Sequence, residues 1–287
     1  MTRTFSPPRP IWCAGCGDFG VLEALISALS ELGVPAHERM ILAGIGCSGS
    51  LQNYLPCYGY HALHGRVLPT AIGAKLANPE LTVVAVGGDG DGYAIGGGHL
   101  VHSFKRNPGV TYVVMNNGTY GLTKGQVSPT SAIGYQENSE EDLDPILLGL
   151  SIPGSTFLAR GYSGQPAQLL QLMLAAIGHT AAGHGMAYLE VLSPCVTYND
   201  TYRAWRTSVY DIDNDQDYDS SDRAGVFERM IELRAQGRLP LGLIYRGDRP
   251  ALETLSVSPD FAVPARQDIS DPRLQEDYRK AMQSFIR

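Results

Sequence analysis

The sequence predicts an α/β protein with a mainly parallel sheet and helices on both faces. Two observations carry this. Short apolar runs at residues 40–43, 81–86, 110–115, 156–159 and 186–192 read as buried strands, and segments of helical periodicity alternate with them. In addition, small and oxygen-bearing residues cluster just after the strands, where ligand sites lie in open α/β sheets.

The elements follow in order. Residues 19–32 carry Val21, Leu22, Leu25, Ile26 and Leu29 at helical spacing, with Asp18 as expected N-cap and Gly33 as stop. A strand at 40–43 precedes a helix at 69–76 that takes proline in its first turn. The strand at 81–86, a helix at 98–104 and the strand at 110–115 come next. A short strand at 156–159, a helix at 166–177 and a strand at 186–192 complete the alternation. Beyond Cys195 the character changes: 225–238 reads as helix and the proline-spaced remainder to Arg287 as a wrapping tail. No internal repeat or low-complexity segment is evident.

The most informative stretch is 88–117. Gly88-Asp89-Gly90 follows one apolar run and Asn116-Asn117 follows the next, with 25 residues between Gly90 and Asn116. A carboxylate, an amide carbonyl and nearby glycines suit a diphosphate held through a hard cation. This spacing matches the thiamine-diphosphate signature. Asp89, the Asn117 side chain and a backbone carbonyl just beyond it are the expected protein ligands of magnesium.

Other readings fail on context. Gly44-Ile45-Gly46-Cys47-Ser48-Gly49 spells G-x-G-x-x-G, but Pro56 interrupts the segment after it and His61 to Arg66 occupy the place of the required acid. The alternating Asp211, Asp213, Asp215, Asp217 and Asp219 lack the glycine and glutamate of an EF-hand, so a solvated acidic loop is expected. A net charge of −7 without basic clusters argues against nucleic acid. No apolar run is long enough to span a membrane, and residues 1–10 lack a signal-peptide core, which points to the cytoplasm.

Five cysteines in a cytoplasmic chain are not expected to form disulfides. Cys13 and Cys16 form C-x-x-C, Cys47 lies in the glycine loop and Cys195 follows Pro194. Zinc or a Cys₄ iron–sulfur cluster would each use these sulfurs, and spacing alone leaves both open. Cys57 is expected to be a partly buried residue without a task.

Taken together, Trp12-Cys13-Ala14-Gly15-Cys16-Gly17, Gly44 to Ser48, His64-Gly65-Arg66, Gly88-Asp89-Gly90, the run from Asn116 to Gln126 and Ser193-Pro194-Cys195 occur in one order. This set resembles the β subunit of 2-oxoacid:ferredoxin oxidoreductases, of 2-oxoglutarate type, over residues 12–195. The resemblance implies a thiamine-diphosphate-binding fold of pyrophosphate type over 1–195, with 196–287 as an extension packing on the domain or on partner subunits. It implies one [4Fe–4S] cluster on Cys13, Cys16, Cys47 and Cys195, and Mg²⁺ on Asp89, Asn117 and the Thr119 carbonyl. Ile45, Gly46, Cys47, Ser48, His64, Gly88, Gly90, Asp91, Gly121, Leu122 and Thr123 would line the cofactor. For Arg66, a salt bridge and a place near the diphosphate stand side by side.

The implied activity is oxidative decarboxylation of a 2-oxoacid with coenzyme A to an acyl-CoA and CO₂, with electrons leaving through the cluster to ferredoxin, or the reverse carboxylation. The glutamate that activates thiamine diphosphate is implied on a separate α subunit, in an (αβ)₂ heterotetramer, and no catalytic residue of that kind is found here. Lys124 is expected to meet the distal carboxylate of 2-oxoglutarate. Pyruvate or a broad range of 2-oxoacids is the alternative. A non-redox thiamine-diphosphate decarboxylase or synthase would leave the cysteines idle, and a zinc-stabilised scaffold would leave the magnesium motif idle.

Overall fold

The computed structural model describes residues 6–256, 263–268 and 270–285. In chain order the elements are α1 (Asp18–Glu31), β1 (Arg39–Ala43), β2 (Tyr58–His61), α2 (Val67–Ala77), β3 (Thr82–Gly88), α3 (Gly97–Arg106), β4 (Thr111–Asn116), α4 (Pro145–Leu150), β5 (Phe157–Tyr162), α5 (Pro166–Ala181) and β6 (Ala187–Leu192). They are followed by α6 (Tyr202–Ser208), β7 (Val209–Asp211), α7 (Arg223–Ala235), β8 (Leu239–Arg246), α8 (Leu252–Ser256) and α9 (Pro272–Phe285).

The strands form one sheet in the order β2-β1-β3-β4-β6-β5-β8-β7. The first six are parallel, and β8 joins β5 antiparallel with a bulge at Leu158/Ala159. Alternate side chains enter two cores. Ile41, Val84, Val86, Val113 and Leu189 pack under α1 and α5. Leu42, Val83, Ala85, Val114 and Tyr188 pack under α2, α3, α4 and α7. Both faces are therefore covered, as continuous apolar strands require. Each fully buried aliphatic side chain contributes about 1.5–3 kcal/mol.

Two expectations are corrected. Asp18 does not cap α1; Gly17 stands at that position without a side-chain cap, and Asp18 is buried in the first turn, accepting a hydrogen bond from Ser193 Oγ at 2.6 Å. The expected wrapping tail begins with β8, a strand inside the sheet, although its far end at 257–262, 269, 286 and 287 lies outside the described residues, as do residues 1–5. In the acidic run Asp215 is tied to Arg229 at 2.9 Å, while Asp211 and Asp219 cap their own turns. None of the five aspartates is buried, so the loop is solvated as expected, with one side chain held by Arg229. Gly33 does follow the end of α1, at φ +66°, closing the helix through Val34 N–H to the Leu29 carbonyl.

Candidate active site

Strands β1, β3, β4 and β6 are consecutive in the sheet, so their C-terminal ends lie side by side. β1 leads into Ile45-Gly46-Cys47-Ser48, β3 into Asp89, β4 into Asn117, and β6 into Ser193-Pro194-Cys195. Every residue expected to line the cofactor borders one cavity here, and Asp18, Met115 and Tyr120 border it as well.

Asp91 organises the first wall. Its Oδ1 accepts from Ile45 N–H at 3.0 Å and Gly65 N–H at 2.8 Å, and lies 2.7 Å from His64 Nδ1. One buried carboxylate oxygen thereby joins the glycine loop to the His64 loop. Gly46 turns at φ +106°, a left-handed value that favours glycine, just before Cys47 begins a 3₁₀ helix.

Asp89 and Asn117 face the same cavity from neighbouring strand ends. Asp89 is buried, and burial pushes its carboxyl up while hydroxyls of Ser128 and Thr130 oppose the rise. Asn117 Oδ1 accepts from Thr119 N–H at 3.0 Å, which folds Thr119 back under the amide. Asn116 points elsewhere, donating to Glu190 Oε1 at 2.7 Å. The two asparagines of the pair therefore serve opposite sides of the chain.

The expected cluster cysteines meet at a second cavity, bordered by Cys13, Cys16, Cys47 and Cys195. It shares Cys47, Asn117, Gly121 and Leu122 with the first. Trp12 pins the C-x-x-C segment to the glycine loop: its Nε1–H donates to the Cys47 carbonyl at 2.7 Å, and its ring packs edge-on against Phe19 and Tyr54. The Tyr202 hydroxyl donates to the Gly15 carbonyl at 3.0 Å, and Gly17 N–H to the Pro194 carbonyl at 3.1 Å. Burial first, then the Asp18 carboxylate and the neighbouring thiols, push Cys47 up to about 12 and Cys16 higher still. Thiolates at Cys16 and Cys47 would need a cation beside them to stay ionised.

The residues fit the implied groups on independent grounds. Among the described residues, Ser48 Oγ, Asp18 Oδ2 and Asp91 Oδ2 are buried with no hydrogen-bond partner. A Cβ on Gly121 would stand 3.6 Å from Cys47 Sγ and 3.7 Å from Cys195 Sγ, filling the space between them. Lys124 is not among the residues bordering either cavity; it is exposed in the turn after Thr123, at φ +73°. Arg66 is exposed at the start of α2 and borders neither cavity. Cys57 is half-buried, its thiol raised to about 11 by burial, and donates to the Gln52 carbonyl. The residues missed from sequence are Ser128, Thr130, Trp12 as an anchor and Asp18 as a cavity wall.

This fold and site define a thiamine-pyrophosphate enzyme domain, and residues 44–191 match the family described as thiamine pyrophosphate enzyme, C-terminal TPP binding domain. Residues 195–257 match the family of the C-terminal region of the pyruvate ferredoxin oxidoreductase beta subunit. The chain is similar to 2-oxoacid:ferredoxin oxidoreductase 2, subunit beta, of Aeropyrum pernix, 39% identical over 82% of this chain and 79% of the relative. It is 45% identical to the 2-oxoacid:ferredoxin oxidoreductase subunit beta of Saccharolobus solfataricus, over 72% of this chain and 70% of the other. A solved 2-oxoglutarate:ferredoxin oxidoreductase from Magnetococcus marinus, with 2-oxoglutarate, coenzyme A and succinyl-CoA bound, superposes with a TM-score of 0.80. It is 36% identical and the match covers 89% of this chain and 90% of that one. The chain belongs to the β subunits of 2-oxoacid:ferredoxin oxidoreductases. That membership sets aside the non-redox decarboxylase and the zinc scaffold.

Proposed function

We propose that this β subunit, with an α partner, oxidatively decarboxylates 2-oxoglutarate with coenzyme A and passes the electrons through a [4Fe–4S] cluster to ferredoxin. The observation that carries the reading is the wall shared by the two cavities, where Cys47 borders both. A group held by the four thiols would lie beside one held by Asp89 and Asn117. When bound, thiamine diphosphate supplies the carbanion-stabilising chemistry of decarboxylation and the cluster supplies one-electron acceptance.

The chain's own residues do the holding. Asp89, the Asn117 amide and the Thr119 carbonyl would ligate Mg²⁺, a cation that takes oxygen donors and retains phosphates. The unpartnered Ser48 hydroxyl offers a hydrogen bond within the cavity. Asp91 keeps the Ile45 and His64 loops at a fixed separation. Residues 1–195 form the unit that carries this chemistry, and 196–287 the extension, whose β8 extends the same sheet.

Lys124 is the proposed substrate reader. A non-glycine residue at φ +73° is strained by about 1–3 kcal/mol and persists only where the surroundings impose it. A further relative supports 2-oxoglutarate: the KorB subunit of 2-oxoglutarate oxidoreductase from Mycobacterium tuberculosis is 36% identical over 78% of this chain and 56% of its own length. The cytoplasmic location, the (αβ)₂ assembly and an activating glutamate on the α subunit belong to the same proposal. Among the described residues no helix is long and apolar enough to cross a membrane.

The test is anaerobic co-purification with the α subunit, followed by viologen reduction with each 2-oxoacid and coenzyme A. A brown complex active on 2-oxoglutarate is expected, with this chain inactive alone. Lys124→Ala should raise KM for 2-oxoglutarate far more than for 2-oxobutyrate. Equal effects on the two acids would remove Lys124 from substrate choice, and a colourless complex would remove the cluster.

A further inference from the structure

We propose that Ser128 and Thr130 are positioning residues for the divalent cation, acting through Asp89 and setting its separation from Asn117 and Thr119. The inference rests on the magnesium reading of Asp89 and Asn117 and goes beyond it.

Both hydroxyls fall on one oxygen of Asp89. Ser128 Oγ lies 2.5 Å and Thr130 Oγ1 2.7 Å from Asp89 Oδ2. No other side-chain donor to this carboxylate is found among the described residues; the backbone N–H groups of Asp89 and Gly90 also lie against it, and Oδ1, which neither hydroxyl takes, is the oxygen proposed to face the cation. Two donors on one oxygen also fix the carboxylate plane, which otherwise turns freely about its last bond.

Thr130 has one proton and two acceptors. Its Oγ1 lies 2.7 Å from Asp89 Oδ2 and 2.8 Å from Asn116 Oδ1. Asn116 Oδ1 already receives Gly118 N–H at 3.0 Å. A hydrogen bond to a carboxylate is about twice as strong as one between neutral groups. Thr130 therefore donates to Asp89, and Asn116 depends on Gly118 and Glu190 for its orientation.

The same segment reaches the other proposed ligands. Ser131 Oγ receives Ser128 N–H at 2.8 Å and donates to the Gly118 carbonyl at 2.7 Å. Gly118 lies between Asn117 and Thr119. Residues 128–131 thus tie the loop after β3 to the loop after β4, and the distance between the ligands they carry is set by these bonds. Hydrogen-bond partners of metal ligands commonly govern affinity by about 10- to 100-fold.

The experiment uses the αβ complex and Mg²⁺ as the probe. Calorimetric titration of Mg²⁺ is run at saturating thiamine diphosphate on the wild type, Ser128→Ala, Thr130→Val and Thr130→Ser. Thr130→Val is expected to weaken Mg²⁺ by about 10-fold or more, Ser128→Ala to weaken it as well, and Thr130→Ser to restore most of the loss. Removing a donor from buried Asp89 is expected to lower the melting temperature of the cofactor-free complex by a few degrees at most, so Mg²⁺ affinity is read well below the melt. Wild-type Mg²⁺ affinity in Thr130→Val and Ser128→Ala overturns the proposal. So does a Thr130→Ser variant as weak as Thr130→Val, because the methyl group would then be what matters. If Thr130→Val fails to assemble, Ser128→Ala and Thr130→Ser decide between them. A wild-type complex that binds no Mg²⁺ with thiamine diphosphate overturns the magnesium reading itself, an outcome distinct from all of these.

Discussion

The two ends of the sheet are made by the same strands but treat buried polar atoms in opposite ways. At the N-terminal ends of β4, β5 and β6, Asn107 forms a closed knot. Its Nδ2 donates to the carbonyls of His184, Arg249 and Pro250, and its Oδ1 accepts from Thr156 Oγ1 and Met186 N–H. At the C-terminal ends, Ser48 Oγ, Asp18 Oδ2 and Asp91 Oδ2 are buried without partners among the described residues. An unpaired buried polar group costs about 1–3 kcal/mol, so the upper end carries several such penalties that the lower end has largely removed. The chain closes one end by itself and leaves the other to be completed by what it binds.

The largest test of this contrast is Asn107→Ala. The substitution strips five partners at once and leaves alanine at φ 57°, so a loss of about 3 kcal/mol or more is expected. Calorimetric melting of the complex should fall by several degrees. Mg²⁺ and thiamine-diphosphate affinity, measured well below the melt, should be unchanged. A parallel loss of affinity would show that the two ends are coupled and break the comparison.

His179 is the exception at the lower end. Its Nε2 lies 3.0 Å from Thr156 Oγ1, but Nδ1 is buried without a partner among the described residues. Burial, then the neighbouring His184 and Arg246, hold its ring down to about 4 from 6.5. The unfolded chain therefore takes up a proton before the folded one does. Stability present above pH 6.5 is lost as the pH falls, and the loss levels off below about 4. Its size is about 3 kcal/mol. Urea unfolding of wild type and His179→Gln across this range should give a shallower acid decline in the variant. Equal slopes would assign the decline to other groups.

Much of this architecture was legible because long apolar runs speak for themselves. β1, β3, β4, β5 and β6 start within a residue or so of their apolar runs, since each is buried on both faces. β8 was not, because Pro240 and Gly242 inside Leu239–Arg246 read as loop residues, and only docking against β5 overrides that signal. Asp89, Asn117 and the four cysteines were singled out by spacing, and the structure gathers them at two adjoining cavities. Ser128 and Thr130 did not: they sit in a Ser-Pro-Thr-Ser run that reads as a turn, and the atoms they serve are 39 and 41 residues away. Asp18 misled for the opposite reason. Its local position before a helix suits a cap, yet its partner Ser193 comes from the end of β6, 175 residues on.

The smallest expected effect is also the most diagnostic in sign. Ser48 is buried, its hydroxyl has no partner among the described residues, and it borders the first cavity between Cys47 and Gly49. Removing an unpaired buried hydroxyl relieves its desolvation cost, so Ser48→Ala should leave the cofactor-free complex as stable as wild type or more stable, by up to about 1 kcal/mol. If the hydroxyl is completed by the bound diphosphate cofactor, the same change should weaken thiamine diphosphate by about 1 kcal/mol, close to a factor of five in affinity. Opposite signs in melting and binding are what a site built for completion requires. A variant that lost stability without losing affinity would place Ser48 with Asn107, as a residue whose work is done within the fold.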